Sequence, residues 1–302
     1  MSAGESTGEI IKSLVVNVLI AVAKGIAAAI SGSGAMLAET LHSFADCANQ
    51  LLLLRGVKQT KRPADKDHPF GYGRSLYFYS FIVALLLFFG GGVFSIHEGI
   101  EKLSEPTPVE SITLSLVILG FSLVLEGWSL LGNVREVNRR RGDMTFIPYL
   151  KHTKDSDLMV VLGENTAAVL GLLFALAALV AARLTNDGRW DGAGSLAIGL
   201  VLVGVATFLA REVKSLLVGE AADPALHAIL EKCALDDPDV DRVLNVLTLQ
   251  QGPGEILVAM KLEMRAGMLT AELVEAINRF ERAVKAAAPE VKWSFIEPDN
   301  AP

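Results

Sequence analysis

Residues 31–50, SGSGAMLAETLHSFADCANQ, place two polar side chains in a segment whose other residues largely suit lipid. His42 and Asp46 are four residues apart, so in a helix both side chains project from one face. A carboxylate at the centre of a bilayer costs about 2.5–3.5 kcal/mol on insertion scales, so such a residue usually faces a partner or a cavity. A neutral imidazole beside a carboxylate suits a transition metal, above all zinc. The same spacing is equally compatible with a hydrogen-bonded polar pair that joins two helices.

The composition indicates a membrane domain followed by a smaller soluble one. The 302 residues are 51% hydrophobic, with a mean hydropathy of +0.43. Long apolar runs fill residues 1–218, whereas residues 219–302 have the charge density of a soluble domain, so we predict a domain boundary between them. The net charge of −7 gives no support for a nucleic-acid partner. Cys47 and Cys233 lie in different predicted domains, and we expect unpaired thiols in a reducing compartment.

Six apolar segments are long enough to cross a bilayer, which takes about 20 residues. They are residues 11–31, 34–57, 76–97, 112–133, 157–183 and 191–217. Because only helices satisfy their own backbone groups in lipid, we predict six transmembrane helices. Loops 58–75 and 134–156 are rich in Lys and Arg, which places these loops and both termini on the cytoplasmic side, most simply of a plasma (inner) membrane. The N-terminus lacks the basic region of a cleavable signal, so we expect the first helix to remain in the protein.

Further ionisable side chains lie within the predicted helices. With a rise of about 1.5 Å per residue, the depths of Asp46, Glu126 and Glu164 overlap just inward of the midplane, where transporters commonly bind substrate. Three carboxylates at one depth carry a burial penalty of several kcal/mol unless a cation offsets it, which favours a cation site. Lys24 on predicted helix 1 offers an alternative, because it could neutralise Glu39 or Asp46 without a metal.

The C-terminal residues predict the element order α-β-β-α-β. A turn at 252–254 separates two apolar strands, and the residues of the second strand alternate between apolar and polar. Residues 270–288 have the 3.6-residue period of an amphipathic helix. His227 is the only histidine of this region, so the sequence does not favour a metal site there. We expect Glu297 and Asp299 to be structural or interfacial.

The chain resembles the cation diffusion facilitator family over nearly its whole length. The resemblance rests on residues 31–50, on RPADKDHPFGYGR (62–74), on FIEPD (295–299) and on six predicted helices followed by a soluble domain. It implies an all-α transmembrane domain of six helices plus a small α+β, ferredoxin-like cytoplasmic domain, assembled as a homodimer in the lipid bilayer. It also implies proton-coupled efflux of zinc or a related divalent metal. The family builds its transport site from helices 2 and 5, which puts His42 and Asp46 in that site.

Predicted helix 5 departs from the commonest family pattern. Many members carry a second HxxxD there, but residues 157–175 contain no His. Asp157 and Glu164 are the acidic candidates, and we take Glu164 as a ligand, with Asn165 as a weaker one. Glu126 is a further oxygen donor, inferred from depth alone. Such an oxygen-rich set weakens strict zinc selectivity and leaves room for manganese, cobalt or iron.

The expected function is therefore the carriage of a divalent metal by alternating access, with protons as counter-ions. No bond in a substrate is broken, so we expect a carrier rather than an enzyme, with the metal as substrate and no cofactor. One alternative is a membrane-anchored metal sensor, which would need a ligand cluster in residues 219–302. Another is an exporter of small organic cations, which would need aromatic residues beside the carboxylates. Predicted helices 2 and 5 offer only Phe44 and Phe174, with Trp128 on helix 4.

Overall fold

The computed structural model describes residues 3–153 and 156–300, and these form long helices followed by a small α/β unit. The helices are α1 (Ala3–Ser31), α2 (Gly34–Thr60), α3 (Ser75–Leu86), α4 (Phe94–Ser104), α5 (Ile112–Arg140), α6 (Phe146–His152), α7 (Ser156–Thr185), α8 (Arg189–Val218), α9 (Pro224–Leu235) and α10 (Thr270–Ala287). A π-helical segment, Leu87–Val93, joins α3 to α4. The strands are β1 (Val240–Gly252), β2 (Glu255–Met264) and β3 (Val291–Pro298).

The chain divides into two compact units. The first comprises Met1–Lys58, Phe78–Lys151 and Ser156–Lys214, and the second comprises Gln59–Tyr77, His152–Asp155 and Ser215–Pro302. The second unit therefore takes in the loop before α3 as well as the C-terminal residues. The division between domains at 218/219 stays a prediction. Of the basic loop 134–156, Lys154 lies outside the described residues.

Four helical stretches among the described residues are long and apolar enough to cross a membrane. They are Ser75–Ser104, Ile112–Arg140, Leu158–Thr185 and Arg189–Val218. α1 adds a shorter apolar stretch, Asn17–Ser31. α2 has the length of a span, but Glu39, His42 and Asp46 make its centre polar. Each of the six predicted segments lies on a long helix, while hydropathy supports four spans, so the number six stays a prediction.

Glycines bring α4 and α8 together at close range. A Cβ at Gly99 would lie 2.6 Å from the backbone nitrogen of Leu196, and one at Gly199 would lie 2.7 Å from that of Ile96. Real Cβ atoms do not approach so closely, so larger residues at these two positions would force the helices apart. Small residues at helix interfaces are typical of membrane proteins, where close van der Waals packing drives association.

Asp191 on the first turn of α8 caps the N-terminus of α2. Its side chain is fully buried, with Oδ2 accepting from the backbone N–H of Gly34 at 2.6 Å and Oδ1 from the hydroxyl of Ser33 at 2.5 Å. Lys102 of α4 donates to Asp191 Oδ2 at 2.9 Å and also to the carbonyl of Gly32. The first N–H groups of a helix lack intrahelical partners and attract negative charge, and here another helix supplies it. These contacts join the N-termini of α2 and α8 to the C-terminal part of α4.

The second unit contains the predicted α-β-β-α-β order, as α9, β1, β2, α10 and β3. β2 lies at the centre of the sheet, antiparallel to β1 and parallel to β3. The predicted alternation in β2 is confirmed, because Ile256, Val258, Met260 and Leu262 are buried. Their core partners on the helices are Leu226 and Leu230 of α9 with Phe280 and Val284 of α10. This arrangement agrees with the predicted small α+β domain.

The acidic residues at the end of β3 have local partners. Lys261 of β2 donates to Asp299 at 2.8 Å and lies 3.9 Å from Glu297. Such pairing agrees with the structural role expected for the two residues. Cys47 and Cys233 are both free thiols, as predicted.

The loop at 62–74 folds around Asp65. This carboxylate accepts from the hydroxyl of Tyr72 at 2.7 Å and from the backbone N–H of His68 at 2.8 Å. The hydrogen bond from Tyr72 contributes most, and the one from the His68 backbone contributes less. Together they hold the pKa of Asp65 below its ordinary value. Phe70 from the same loop packs edge-on against Trp293 of β3, with ring centroids 5.6 Å apart. The loop is therefore an ordered part of the second unit.

Arg279 ties α10 to the chain that enters β1. Its Nη2 donates to Asp237 at 2.6 Å and to Asp239 at 2.7 Å, while its Nε donates to Asp237 at 3.0 Å. Burial disfavours the ionised form of Asp237, but the hydrogen bonds from Arg279 and from the backbone of Asp239 outweigh it and hold the pKa of Asp237 below its ordinary value.

We expect Arg279→Gln to lower the free energy of unfolding of this unit by about 1–2 kcal/mol at pH 7, the range for hydrogen bonds to charged groups at a partly exposed site. Because the folded pKa of Asp237 is depressed, its contribution is present above about pH 4 and is lost as the pH falls through the folded pKa. The deficit of the variant should therefore shrink at pH 3. The free energy of unfolding is measured at both pH values from the urea dependence of the reaction of Cys233 with dithiodipyridine, in a Cys47→Ser background.

Arg282→Gln is the matched control, because Arg282 is an exposed arginine on the same helix. Equal losses for the two variants at pH 7, or a loss for Arg279→Gln that is as large at pH 3, would show that the Asp237 pair does not stabilise the unit.

Candidate cation site

A polar cavity of about 350 Å³ lies between α1, α2, α5 and α7 in the first unit. Its polar lining consists of Asn17, Ser43, Asp46, Asn49, Gln50, Glu126, Ser129, Glu164 and Asn165, and its apolar lining of Ile20, Leu125, Val161 and Ala168. Four of the five predicted ligands are therefore brought to one cavity. They come from three helices that are distant in sequence, in agreement with the common depth that was predicted for Asp46, Glu126 and Glu164.

His42, the fifth predicted ligand, is buried beside the polar cavity and does not line it. Its Nδ1 lies 3.7 Å from Asp46 Oδ1, and its side chain is 1% exposed. Neither ring nitrogen makes a hydrogen bond with the residues that the structure describes. A buried polar group without a hydrogen bond is rare and costly, so this imidazole has donor capacity that the described contacts do not use.

Glu164 is held from α2 by an amide. Asn49 Nδ2 donates to Glu164 Oε1, and Glu164 is nearly fully buried. Asn49 was not among the predicted site residues, although it lies three residues after Asp46 and therefore near it on the same face of the helix. Asn165, the weaker predicted ligand on α7, donates to the hydroxyl of Ser129 on α5 at 3.1 Å.

Lys24 is fully buried and binds two carboxylates. Its Nζ lies 3.1 Å from Glu39 Oε2, 3.1 Å from Glu126 Oε1 and 2.9 Å from the hydroxyl of Ser43. The alternative in which Lys24 neutralises Glu39 is therefore present in the structure, but the second carboxylate that Lys24 binds is that of Glu126 rather than that of Asp46. Glu126 Oε2 remains buried with no hydrogen bond to the described residues.

The donors of the polar cavity do not form a complete coordination shell. Within the described ranges, no three His, Cys, Asp or Glu side chains converge closely enough to hold a metal ion. Asp157, considered as an alternative ligand on α7, has a side chain outside the described residues. The candidate ligand side chains therefore surround one cavity, but they would have to move closer together to coordinate an ion.

Comparison with known protein families identifies the helical part of the chain. The cation efflux transmembrane domain matches residues 10–218. The chain belongs to the cation efflux, or cation diffusion facilitator, family. It is therefore an integral membrane protein of a transporter family, and the fold and the resemblance inferred from the sequence are confirmed.

Several relatives of this chain are known. The mitochondrial proton-coupled zinc antiporter SLC30A9 of Xenopus laevis is 32% identical over 247 residues, which are 81% of this chain and 44% of the relative. Metal tolerance protein C4 of Arabidopsis thaliana is 32% identical over 255 residues, 84% and 56% of the two chains. The cation-efflux pump FieF of Shewanella oneidensis is 26% identical over 272 residues, 85% and 81%. The chain spans about half the length of the first two relatives.

The donors in and beside the polar cavity suit a divalent cation. Asp46, Glu126 and Glu164 supply carboxylate oxygens, Asn165 supplies an amide oxygen, and His42 would supply the only imidazole. Carboxylates and carbonyls suit manganese and similar hard ions, whereas an imidazole suits zinc, copper, iron or nickel. The set is therefore intermediate between those that suit hard ions and those that suit zinc.

Proposed function

We propose that this protein carries a divalent metal ion across a membrane by alternating access, in exchange for protons. The observation that supports it best is the polar cavity, which gathers carboxylates from α2, α5 and α7 in the first unit. The proposed ligands are Asp46, Glu164 and His42, with Asn165 and Glu126 as further oxygen donors. A carboxylate buried in a membrane is costly, and a dication bound near Asp46, whose Oδ1 makes no hydrogen bond with the described residues, would offset part of that cost.

Zinc is the proposed substrate, with manganese, cobalt or iron as alternatives. The name of the Xenopus laevis relative states that it is a proton-coupled zinc antiporter, and an imidazole beside a carboxylate is a common zinc environment. The three carboxylates argue for tolerance of harder ions.

Metal binding requires rearrangement of the donors, because the described side chains do not converge on one point. We propose that an ion draws Asp46 and Glu164 towards each other and turns His42 from its buried position. Ligands must be deprotonated to bind metal, so a proton that arrives from the other side competes for the same lone pairs. This competition couples metal release to proton uptake.

We also propose six spans with both termini in the cytoplasm, most simply in a plasma (inner) membrane, and assembly as a homodimer. Hydropathy does not count α2 because Glu39, His42 and Asp46 make its centre polar, although Lys24 neutralises Glu39 within the protein. Residues 1–218 would then form the membrane domain and 219–302 the cytoplasmic one.

A thermal-shift series on the purified protein in detergent tests the proposal. Zn²⁺, Mn²⁺, Co²⁺, Fe²⁺ and Cd²⁺ are added in turn. A metal at about 100 times its Kd stabilises the folded state by about 2.7 kcal/mol, which corresponds to a rise of roughly 5–10 °C in Tm. We expect such a rise for the substrate metal, and its loss in His42→Ala and in Glu164→Ala.

His97→Ala is the matched control, because His97 on α4 is 77% exposed and lies outside the polar cavity. It should keep the full shift. If no metal raises Tm, or if His42→Ala and Glu164→Ala shift as the unmodified protein does, the proposed site is wrong.

A further inference from the structure

The ammonium group of Lys24 occupies a position that resembles a cation site. Its three oxygen partners come from two other helices, Glu39 and Ser43 from α2 and Glu126 from α5, at 2.9–3.1 Å. Lys24 and Glu39 are both fully buried. An ammonium has three donors, and these three contacts use all of them.

The carboxylates around Lys24 have more oxygen atoms than the ammonium can satisfy. Glu39 Oε1 and Glu126 Oε2 are buried and make no hydrogen bond with the described residues. Glu39 Oε1 lies against Gly171 of α7, where a Cβ would overlap it. The chain therefore leaves room for this oxygen, although no donor meets it in the described contacts.

Joining helices would not require a charge at this position. Neutral hydrogen bonds between membrane helices are sufficient for that purpose, and a Lys in the membrane interior is costly. What the charge adds is compensation of Glu39 and Glu126, the second of which also lines the polar cavity. Glu126 Oε1 accepts from Lys24, and Glu126 Oε2 makes no hydrogen bond with the described residues.

We propose that Lys24 is a tethered cation that fills a second cation site, formed by Glu39, Ser43 and Glu126, so that the protein binds one metal ion per chain instead of two. Lys24 also holds Glu126 at the edge of the polar cavity, which makes it a positioning and specificity-determining residue. This inference rests on the proposed function, because the first ion is the one in the polar cavity.

The test is the number of metal ions bound per chain by the purified full chain in detergent, with Cd²⁺ as the probe, measured by equilibrium dialysis and elemental analysis. We expect one ion for the unmodified protein. We expect two for Lys24→Met, which keeps the apolar stem, and for Lys24→Gln, which keeps hydrogen bonding. In Lys24→Met/Glu39→Gln the second site has lost a carboxylate, so the number returns to one.

The outcomes separate this inference from the proposed function. An unmodified protein that binds no Cd²⁺ contradicts the proposed function. If the unmodified protein and both Lys24 variants each bind one ion, only the inference is overturned. Since a metal ion replaces the ammonium, a variant that aggregates in chelator should elute as a single species when it is purified with Cd²⁺. Aggregation under both conditions would also overturn the inference.

Discussion

Asp46→Ala is expected to reduce proton-driven metal flux in proteoliposomes by roughly 100-fold. Asp46 lines the polar cavity, and its Oδ1 lies 3.7 Å from Nδ1 of His42. Loss of one charged ligand contact costs about 3 kcal/mol, and each 1.4 kcal/mol is a factor of ten in affinity. The flux is measured with a metal-sensitive dye inside vesicles under an imposed pH gradient.

Two further variants sharpen the experiment. Asp46→Asn keeps the size of the side chain and an oxygen, so a loss comparable to that of alanine would show that the charge is what matters. Glu101→Ala removes an exposed carboxylate of α4 that does not line the cavity, and it should leave the flux unchanged. Flux through Asp46→Ala at the level of the unmodified protein would remove α2 from the transport site.

The depth of a residue in its helix could be predicted from the sequence. Counting residues placed Asp46, Glu126 and Glu164 at one level, and the structure puts all three around one cavity. The count works because the rise per residue of a helix is constant and the ends of apolar segments are visible in the sequence. The order of strands and helices in the second unit could also be predicted, because alternating apolar and polar residues indicate strands and a 3.6-residue apolar period indicates a helix.

The rotation of each helix about its axis could not be predicted. Four residues advance a helix by about 400°, so His42 and Asp46 differ by about 40° in direction and by one turn in height. This offset is enough for Asp46 to line the cavity while His42 is buried beside it. The sequence likewise could not tell which carboxylates Lys24 would reach, because Glu126 is 102 positions away.

Neutral and terminal residues were missed for a different reason. Asn49 carries no charge, so the pattern of charges in the apolar segments does not predict its hydrogen bond to Glu164. Asp191 lies at the end of an apolar segment, where an acidic residue is ordinarily solvated. The structure instead buries it as the cap of α2, which only the packing of α4 and α8 makes possible.

Asp191→Ala is expected to lower the Tm of the purified protein by roughly 10 °C. The substitution leaves Lys102 buried without its carboxylate and the N–H of Gly34 without its acceptor. Breaking a buried ion pair by removing one partner costs about 3–5 kcal/mol, and each kcal/mol lowers Tm by about 2–4 °C in a protein of this size class. Thermal unfolding in detergent, followed by intrinsic fluorescence, measures the change.

The double variant Asp191→Ala/Lys102→Met decides whether the ion pair is the cause. Most of the penalty in Asp191→Ala comes from the charge that stays buried, so removing that charge as well should restore part of the lost stability. The Tm of Asp191→Asn should lie between that of Asp191→Ala and that of the unmodified protein, because an amide oxygen still accepts from Gly34 but does not neutralise Lys102. If the single and the double variant unfold at the same temperature, the contribution of Asp191 comes from capping α2 alone, and Lys102 does not depend on it.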